Sequence, residues 1–478
     1  MDVADLIYIG SEIIVAVTAT LTLLMGIFSG RYIIVKIVSL LGILSGLIYA
    51  VGLWFVSTSY VFYNTIHANQ LSVIFKILVL VTLLLVITGS YDYSKYFGKL
   101  RVEYLSLMMY SSVGMMLLPA SNDFITAYIS LELIALPLVA VIAMTKEEYS
   151  IEASLKFLIF SAISSAFLLY GIVLLYGFSG STNFEVIAHI LSNTNLDSNI
   201  SIVLIAILFI LGGVGFKVGI VPFYMWIPDV YEGAPTPVVA FLSIASKSVG
   251  FALLIKVFLI AYEFADWTFT ISIIAALTMI VGNAGALLQD NAKRLLGYSG
   301  IAHAGYILIG IACFSQIGTS TGQVAVIFYL LTYAFTNIAA FYSLMNISLS
   351  TNSYSIQSYA GAFFNNKFAS IVLMISFLSL IGLPPTSGFL GKLYLFNAAI
   401  KSELIWLVLF GVINSVFSAY YYLKVIKTLF DSDIEIIKYQ TSSSYSLNIV
   451  LICALLGVLI LGVYPDPFLR LLETSLSS

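Results

Sequence analysis

The stretch GFKVGIVPFYMWIPDVYEGAPTPV, residues 215–238, continues an apolar run, places Lys217 inside it, and then breaks it with Pro222 and Pro228. Proline removes a backbone donor and ends or kinks a helix. In lipid the freed backbone groups are tolerated only beside protein or water. A lysine followed by prolines in such a run therefore predicts a helix interrupted within a membrane. A second stretch has the same design: IGLPPTSGFLGKLYLF, residues 381–396, sets Pro384 and Pro385 just before Lys392. Paired interrupted helices in two halves of a chain point to an ion site near the midplane.

The rest of the chain fits that environment. Of 478 residues, 61% are hydrophobic and 9% charged, whereas a soluble domain carries about a quarter charged residues. The net charge is −3, with no basic or acidic tail, so nothing invites nucleic acid. Cys313 and Cys453 lie in separate apolar segments and suggest neither a disulfide framework nor a metal spacing. His67, His189 and His303 are scattered, so no metal site is expected. The first apolar run, from Leu6 to Phe28, follows acidic residues rather than a basic segment and reads as a first span, not a signal peptide.

A spanning helix takes roughly 20 apolar residues. Gly, Pro, Asn and charge clusters divide the chain into fourteen such runs: 6–28, 32–56, 71–90, 102–120, 123–144, 153–178, 200–224, 235–262, 267–288, 298–315, 322–347, 368–399, 403–430 and 445–467. They are too long and too uniformly apolar for barrel strands, so the expected fold is an all-α polytopic membrane protein. One set of alternate loops holds Arg31, Lys95, Lys99, Arg101, Lys146, Lys293, Arg294, Lys367, Lys427 and Lys438; the other holds Lys401 and Arg470. The bias places the first set in the cytoplasm and both termini on the opposite, periplasmic side.

Several lysines remain within the spans. Lys156, Lys217, Lys247 and Lys392 are read as unable to reach water easily. Lys36, Lys76, Lys256 and Lys424 lie closer to span ends, where snorkelling to the interface explains them. Glu132, in YISLELIALPLVAV, is read as the one carboxylate near the middle of a span. A lysine at the bilayer centre costs about 2.5–3.5 kcal/mol on insertion scales. Lysines outnumber buried carboxylates, so pairing alone does not neutralise them. Burial disfavours the charged form and a nearby carboxylate favours it, so a lysine with a movable acidic neighbour can load and release a proton. His303, in YSGIAHAGYILIG, is placed to relay, because histidine ordinarily titrates near about 6.5.

The two broken helices belong to a weak repeat. Lys217 and Lys392 are 175 positions apart, and Glu132 and His303 are 171 apart. ASLKFLIFSAISSA and AVIFYLLTYAFTNI start 172 apart. That offset equals five spans, an odd number, so the second copy is inverted. The expected organisation is three leading helices over 1–101, a first five-helix unit over 102–265, a second inverted unit over 266–432, and a closing helix within 433–478.

Together, GFKVGIVPF, PDVYEGAPTPV, the lysine of SIASKSVGF, NAKRLLGYSGIAHAGY and LPPTSGFLGK resemble the subunit-N family of the bacterial proton-pumping NADH:quinone oxidoreductase, respiratory complex I. The resemblance covers nearly the whole chain. It implies a proton-translocating, antiporter-like subunit in the inner membrane, in which Glu132 pairs with Lys217 and Lys156 modulates that pair. It further implies that Lys247 connects the halves along a polar axis, His303 lies on that axis, and Lys392 ends it. Flavin (FMN), iron–sulfur clusters and the quinone site are implied in partner subunits, with no cofactor or metal in this one. The implied partners are the other membrane subunits, above all neighbouring antiporter-like ones, and the bilayer. PFYMW departs from the family's frequent PFHMW, and Tyr224 titrates ordinarily near about 10, which puts a relay role there in doubt.

Two rival readings share these features. A subunit of a multisubunit Na+/H+ antiporter would keep the lysine row, but those relatives are richer in histidine after the first broken helix. A purely structural subunit would retain the lysines without using them, and turnover would then survive replacement of all four central ones.

Overall fold

Apolar runs of this length satisfy their backbone in lipid only as helices or closed barrels, and the chain folds as helices. The computed structural model describes residues 3–29, 32–193, 200–314, 319–431 and 445–477. Arg31 and Lys438 of the cytoplasmic set lie outside the described residues. The first helices are α1 (Gly10–Ser29), α2 (Tyr32–Leu53) and α3 (Gln70–Gly89), followed by α4 (Arg101–Ala120), α5 (Phe124–Ile142), α6 (Glu148–Ser179) and the short α7 (Phe184–Asn193). Next come α8 (Ile200–Val218), α9 (Trp226–Gly233), α10 (Thr236–Phe241) and α11 (Lys247–Ala261). The chain continues through α12 (Thr268–Leu287), α13 (Ala292–Ala312), α14 (Thr319–Thr351), α15 (Ala362–Asn365), α16 (Lys367–Ile381) and α17 (Ser387–Lys401). It closes with α18 (Ile405–Phe430), α19 (Tyr445–Val463) and α20 (Asp466–Ser477).

Among the described residues, twelve helices are long and apolar enough to cross a membrane. Two further expected runs fall on α4 and on the interrupted pair α16 and α17. Local chemistry sets several boundaries. Asp123 caps α5 by accepting from Thr126 N at 2.6 Å, and Asn69 and Ser72 form a capping box on α3. The run expected at 298–315 begins at Ala292 instead, because Asn291 accepts from the amides of Lys293 and Arg294 and starts the helix earlier.

Both interruptions are present. Helix α8 stops at Val218, Gly219 adopts φ +78°, and the chain turns before α9. Only glycine takes that backbone conformation without strain. The freed groups find partners: Trp226 Nε1 donates to Phe216 O at 2.9 Å, and Val221 N donates to Thr278 Oγ1 at 3.1 Å. Helix α16 likewise ends at Ile381, with Gly382 at φ +92°, and α17 restarts at Ser387. The structure adds elements outside the expected spans. A hairpin pairs Ser59–Val61 with Ile66–Ala68, and α7 and α20 are short helices beyond the long ones.

The core lies where the interrupted helices meet the long ones. The best window of the α10–α11 span is entirely buried, and those of α13 and α14 are 94% and 83% buried. The corresponding window of α6 is only 33% buried. So α10–α11, α13 and α14 form the centre, and α6 presents an apolar outer face.

Candidate functional site

The first cluster joins α5, α6 and α8. Glu132 on α5 accepts a hydrogen bond from the Ser165 hydroxyl of α6. One turn away on the same face of α6, Ser161 accepts from Lys217 Nζ at 3.1 Å. Lys217 is 6% exposed, with the Phe157 and Phe216 rings 5.9 and 5.6 Å from its Nζ. Glu132 and Lys217 form no direct ion pair; the two serines stand between them, each holding one member. Glu132 nonetheless acts electrostatically on Lys217. Two neutral hydroxyls thus stand as the hydrogen-bond partners of the acid and the base.

The second cluster lies at the centre. Lys247 opens α11 directly after a π-helical turn over Leu242–Ser246. Such turns recur at functional sites because they re-aim the next side chain. Lys247 is 2% exposed, and its Nζ donates to Gly300 O at 2.7 Å. Gly300 permits that approach, since a Cβ there would meet Lys247 Nζ at 3.2 Å and the Tyr333 hydroxyl at 3.1 Å. One turn along α13, His303 Nδ1 bonds the Tyr329 hydroxyl at 2.6 Å. The rings of Tyr306, Tyr329 and Tyr333 surround the imidazole with centroids 5.4–6.1 Å away.

The third cluster lies at the second interruption. Lys392 on α17 is 5% exposed. Its Nζ donates to Leu380 O at 3.1 Å, to Ile381 O at 2.9 Å and to Ser415 Oγ at 3.1 Å. The two carbonyls are the last of α16, left free by the break. They form the negative end of that helix, which favours a cation. The Tyr306 ring centroid is 4.5 Å from Lys392 Nζ, and the Tyr306 hydroxyl bonds Gly411 O and Ser415, both at 3.1 Å. Tyr306 therefore touches both the His303 cluster and the Lys392 cluster.

Lys156 belongs to a different group. It pairs with Glu152 at 2.7 Å and with Asp229 at 2.6 Å, and its side chain is 36% exposed. Asp229 also meets Arg294 at 2.9 Å, and Arg294 meets Glu232 at 2.7 Å. The expectation that Lys156 cannot easily reach water is corrected: it lies at the rim, beside carboxylates that sequence spacing alone does not bring to it. Tyr224 is half-buried in the turn between α8 and α9.

Other expectations change too. Lys76 does not snorkel: it is 1% exposed, 2.8 Å from Glu12 Oε1, and donates to Tyr8 O at 2.9 Å. Glu12 is 3% exposed and accepts from Ser11 at 2.7 Å, so Glu132 is not the only carboxylate inside the helical body. Lys36 is 8% exposed and turns to Thr88 O at 3.3 Å, and Lys256 turns inward to Ser121 O at 2.6 Å. Lys293, grouped above with the loops, is 4% exposed and donates to Ala234 O at 2.9 Å. Lys424 does lie at the surface, 3.6 Å from Asp290. Sequence reasoning also passed over Ser161, Ser165, Ser415, Tyr306 and Tyr329. The serines had one available signal: Ser161 and Ser165 sit four apart on the helix that follows Glu132. Among the described residues no three His, Cys, Asp or Glu side chains gather as a metal site.

The chain is similar to known proteins. The family described as NADH:quinone oxidoreductase/Mrp antiporter, TM, matches residues 121–418. NADH-quinone oxidoreductase subunit N of Dehalococcoides mccartyi is 35% identical, over 97% of this chain and 97% of its own. NAD(P)H-quinone oxidoreductase subunit 2 of Gloeobacter violaceus is 36% identical, over 97% of this chain and 91% of its own. A chain of respiratory complex I from Thermus thermophilus with bound aureothin superposes with a TM-score of 0.82 at 29% identity, covering 96% of this chain and 98% of that one. A chain of the Mrp complex from Dietzia sp. superposes with a TM-score of 0.86 at 18% identity, covering 98% and 96%, which is a likeness of fold.

Proposed function

Because this chain belongs to the NADH:quinone oxidoreductase/Mrp antiporter family of membrane subunits, we propose that it is an antiporter-like, proton-translocating membrane subunit of respiratory complex I. The whole-length match to quinone oxidoreductase subunits carries this reading. The Mrp likeness, at 18% identity, speaks to fold and keeps the antiporter reading as the alternative. The partners on this reading are the other membrane subunits of the complex. FMN, iron–sulfur clusters and quinone reduction belong to those partners, and this chain contributes a protein path for protons.

In that path Glu132 and Lys217 form the loading pair, Lys247 and His303 the connection, and Lys392 the far site. A buried ammonium is favoured while a carboxylate stands close and disfavoured when it withdraws. Quinone-linked changes next to the chain would shift Glu132 relative to Lys217, with Ser165 and Ser161 turning to follow. A proton displaced from Lys217 would pass by Lys247 and His303, through the Tyr329 and Tyr306 hydroxyls, to Lys392. Each charge moved against 100 mV costs about 2.3 kcal/mol, which the redox step must supply. Lys156 acts from the rim: its ion pair with Asp229 ties α6 to α9, and so bears on where α8 ends.

The proposed topology is fourteen crossings in the bacterial inner membrane, with both termini periplasmic. It comprises leading helices over 1–101, units over 102–265 and 266–432 related by inversion, and a closing segment over 433–478. The test is proton pumping by the whole complex in liposomes carrying Lys217→Met or Lys392→Met. Protons delivered per electron should fall while the complex still assembles and reduces quinone under uncoupled conditions. Unchanged proton stoichiometry in both variants would remove the pathway.

A further inference from the structure

The starts of α2 and α4, with the segment that joins α3 to α4, enclose a cavity of about 560 Å³ far from the proton path. Tyr32 and Ile33 of α2, Tyr91 and Lys95 of the joining segment, and Arg101, the first residue of α4, form its wall. Among the described residues two cations line this cavity and no carboxylate does. Asp92 stands 3.8 Å from Lys95 and offsets part of the charge. Glu103 follows Arg101 by two residues, about 200° around α4, and is not in the wall. A third cation lies behind it, with Lys36 Nζ 4.6 Å from the Tyr91 ring centroid.

Arg101 has no counter-ion in the chain. Its guanidinium lies 5.7 Å from the Tyr32 ring centroid, and among the described residues it forms no ion pair and no side-chain hydrogen bond. Its Nε is buried and unpartnered. Buried donors are ordinarily satisfied, so this one calls for an acceptor from outside the chain. The planar fork of arginine fits a phosphate, which it can bind through two parallel N–H donors.

The outer face of α2 says what carries that phosphate. Ile33, Ile37, Leu41 and Leu44 follow helical spacing down one face and are 61%, 51%, 60% and 38% exposed, whereas Val35, Ser39 and Ile43 of the same helix are buried. From Ile33 to Leu44 the helix rises roughly 16 Å, the depth of one leaflet in a hydrocarbon core about 30 Å thick. A basic cavity therefore stands at the head of an apolar track one leaflet deep. A soluble phosphate compound uses only the cavity; an amphiphile uses both.

We propose that this is a binding site for one anionic phospholipid. Its phosphate lies on Arg101 and Lys95 within the cavity, and one acyl chain lies along Ile33, Ile37, Leu41 and Leu44. The lipid supplies the counter-charge that Arg101 lacks and ties α2 to α4. Basic pockets between spanning helices hold lipid headgroups by this chemistry. The site stands whether or not the chain conducts protons.

The experiment delipidates the native membrane complex and reconstitutes it in phosphatidylcholine vesicles that carry phosphatidylglycerol with a photoreactive acyl chain. Labelled peptides are then mapped by mass spectrometry. The probe should mark residues 32–44, and excess phosphatidylglycerol should compete, while phosphatidylcholine and inorganic phosphate should not. Arg101→Gln should lower that labelling about fivefold, the factor that one cation is worth at an anionic surface. Labelling on the exposed face of α19 should stay the same. Should Arg101→Gln fail to assemble, Lys95→Gln replaces it, since that side chain is 68% exposed and outside the core. Equal labelling by a phosphatidylcholine probe, or labelling indifferent to the charge variant, overturns the site. Displacement by inorganic phosphate overturns the lipid as its occupant. Absence of label over residues 32–44 also overturns it, and assigns that face to contact with another subunit.

Discussion

Glu12 and Lys76 test whether the buried lysines divide into structural and working sets. The pair joins α1 to α3, with the side chains 3% and 1% exposed and charged atoms 2.8 Å apart. The contact is not aligned as a hydrogen bond at Glu12 Oε1, but Ser11 holds the other carboxylate oxygen and Tyr8 O holds the ammonium. Removing one member of such a pair strands a buried charge, which costs about 3–5 kcal/mol, while replacing both with apolar side chains of similar volume is often near neutral. Glu12→Gln or Lys76→Met alone should therefore destabilise the chain by about 3–5 kcal/mol, and the double variant Glu12→Leu/Lys76→Met by about 1 kcal/mol or less. The coupling, obtained as a double-mutant cycle, should be of order several kcal/mol. The measurement is detergent-titrated unfolding of the chain, with proton pumping read on the assembled complex. The double variant should pump normally, unlike Lys217→Met. The reasoning fails if either single variant stays within about 1 kcal/mol of the parent, or if the stable double variant loses pumping.

The serine bridge makes a second claim. Ser161→Ala removes a neutral acceptor from a buried ammonium, a hydrogen bond worth about 1.5–3 kcal/mol. Coupled turnover should fall at least several-fold while Ser161→Thr, which keeps the hydroxyl, retains it; equal loss in both would make the effect one of packing. A third concerns pH at the hairpin. The fold holds His67 below its unfolded value, so its contribution is fully present above about pH 6.5 and is lost as the pH falls through that value toward the folded one. Amide exchange over residues 59–68, corrected for intrinsic rate, should therefore speed up on acidification to pH 5, and His67→Gln should flatten that response.

The long helices were legible because lipid leaves an apolar chain few options. Prolines after Lys217 and before Lys392 likewise marked both breaks, although proline alone does not end a helix, as Pro137 within α5 shows; here each stretch also has a glycine, Gly219 or Gly382, at positive φ. Partnership was harder to read. Glu12 and Lys76 are 64 positions apart, and neither carries a local signal of the other. Distance from a predicted span end served as a proxy for access to water and misassigned Lys76, Lys36 and Lys256, and grouping with the loops did the same for Lys293. A lysine near an end can reach water only if nothing covers that end. Here the backbone oxygens of Tyr8, Thr88, Ser121 and Ala234 meet those four side chains first. Lys156 erred in the opposite direction, because Asp229, 73 positions away, returns to it only once the chain turns at Gly219.

Lys217 and Lys392 each stand beside a helix break but are held differently, and the difference bears on direction. The acidic neighbour of Lys217 is a side chain, separated from it by two rotatable hydroxyls. Lys392 is held by the two last carbonyls of α16, fixed to the backbone. A carboxylate carries a full charge and can move a few ångströms; a helix end carries about half a charge and moves only with the helix. The stabilisation of the ammonium is thus adjustable at Lys217 and nearly constant at Lys392. On the proposed function, a drive applied to the chain would act most readily where the counter-charge can move, so loading and unloading would be commanded at Glu132 and Lys217. Lys392 then responds chiefly to what reaches it through His303 and Tyr306. On the proposed function the interrupted helices are not equivalent gates: the first is the input, and the second is a receiving site whose occupancy follows.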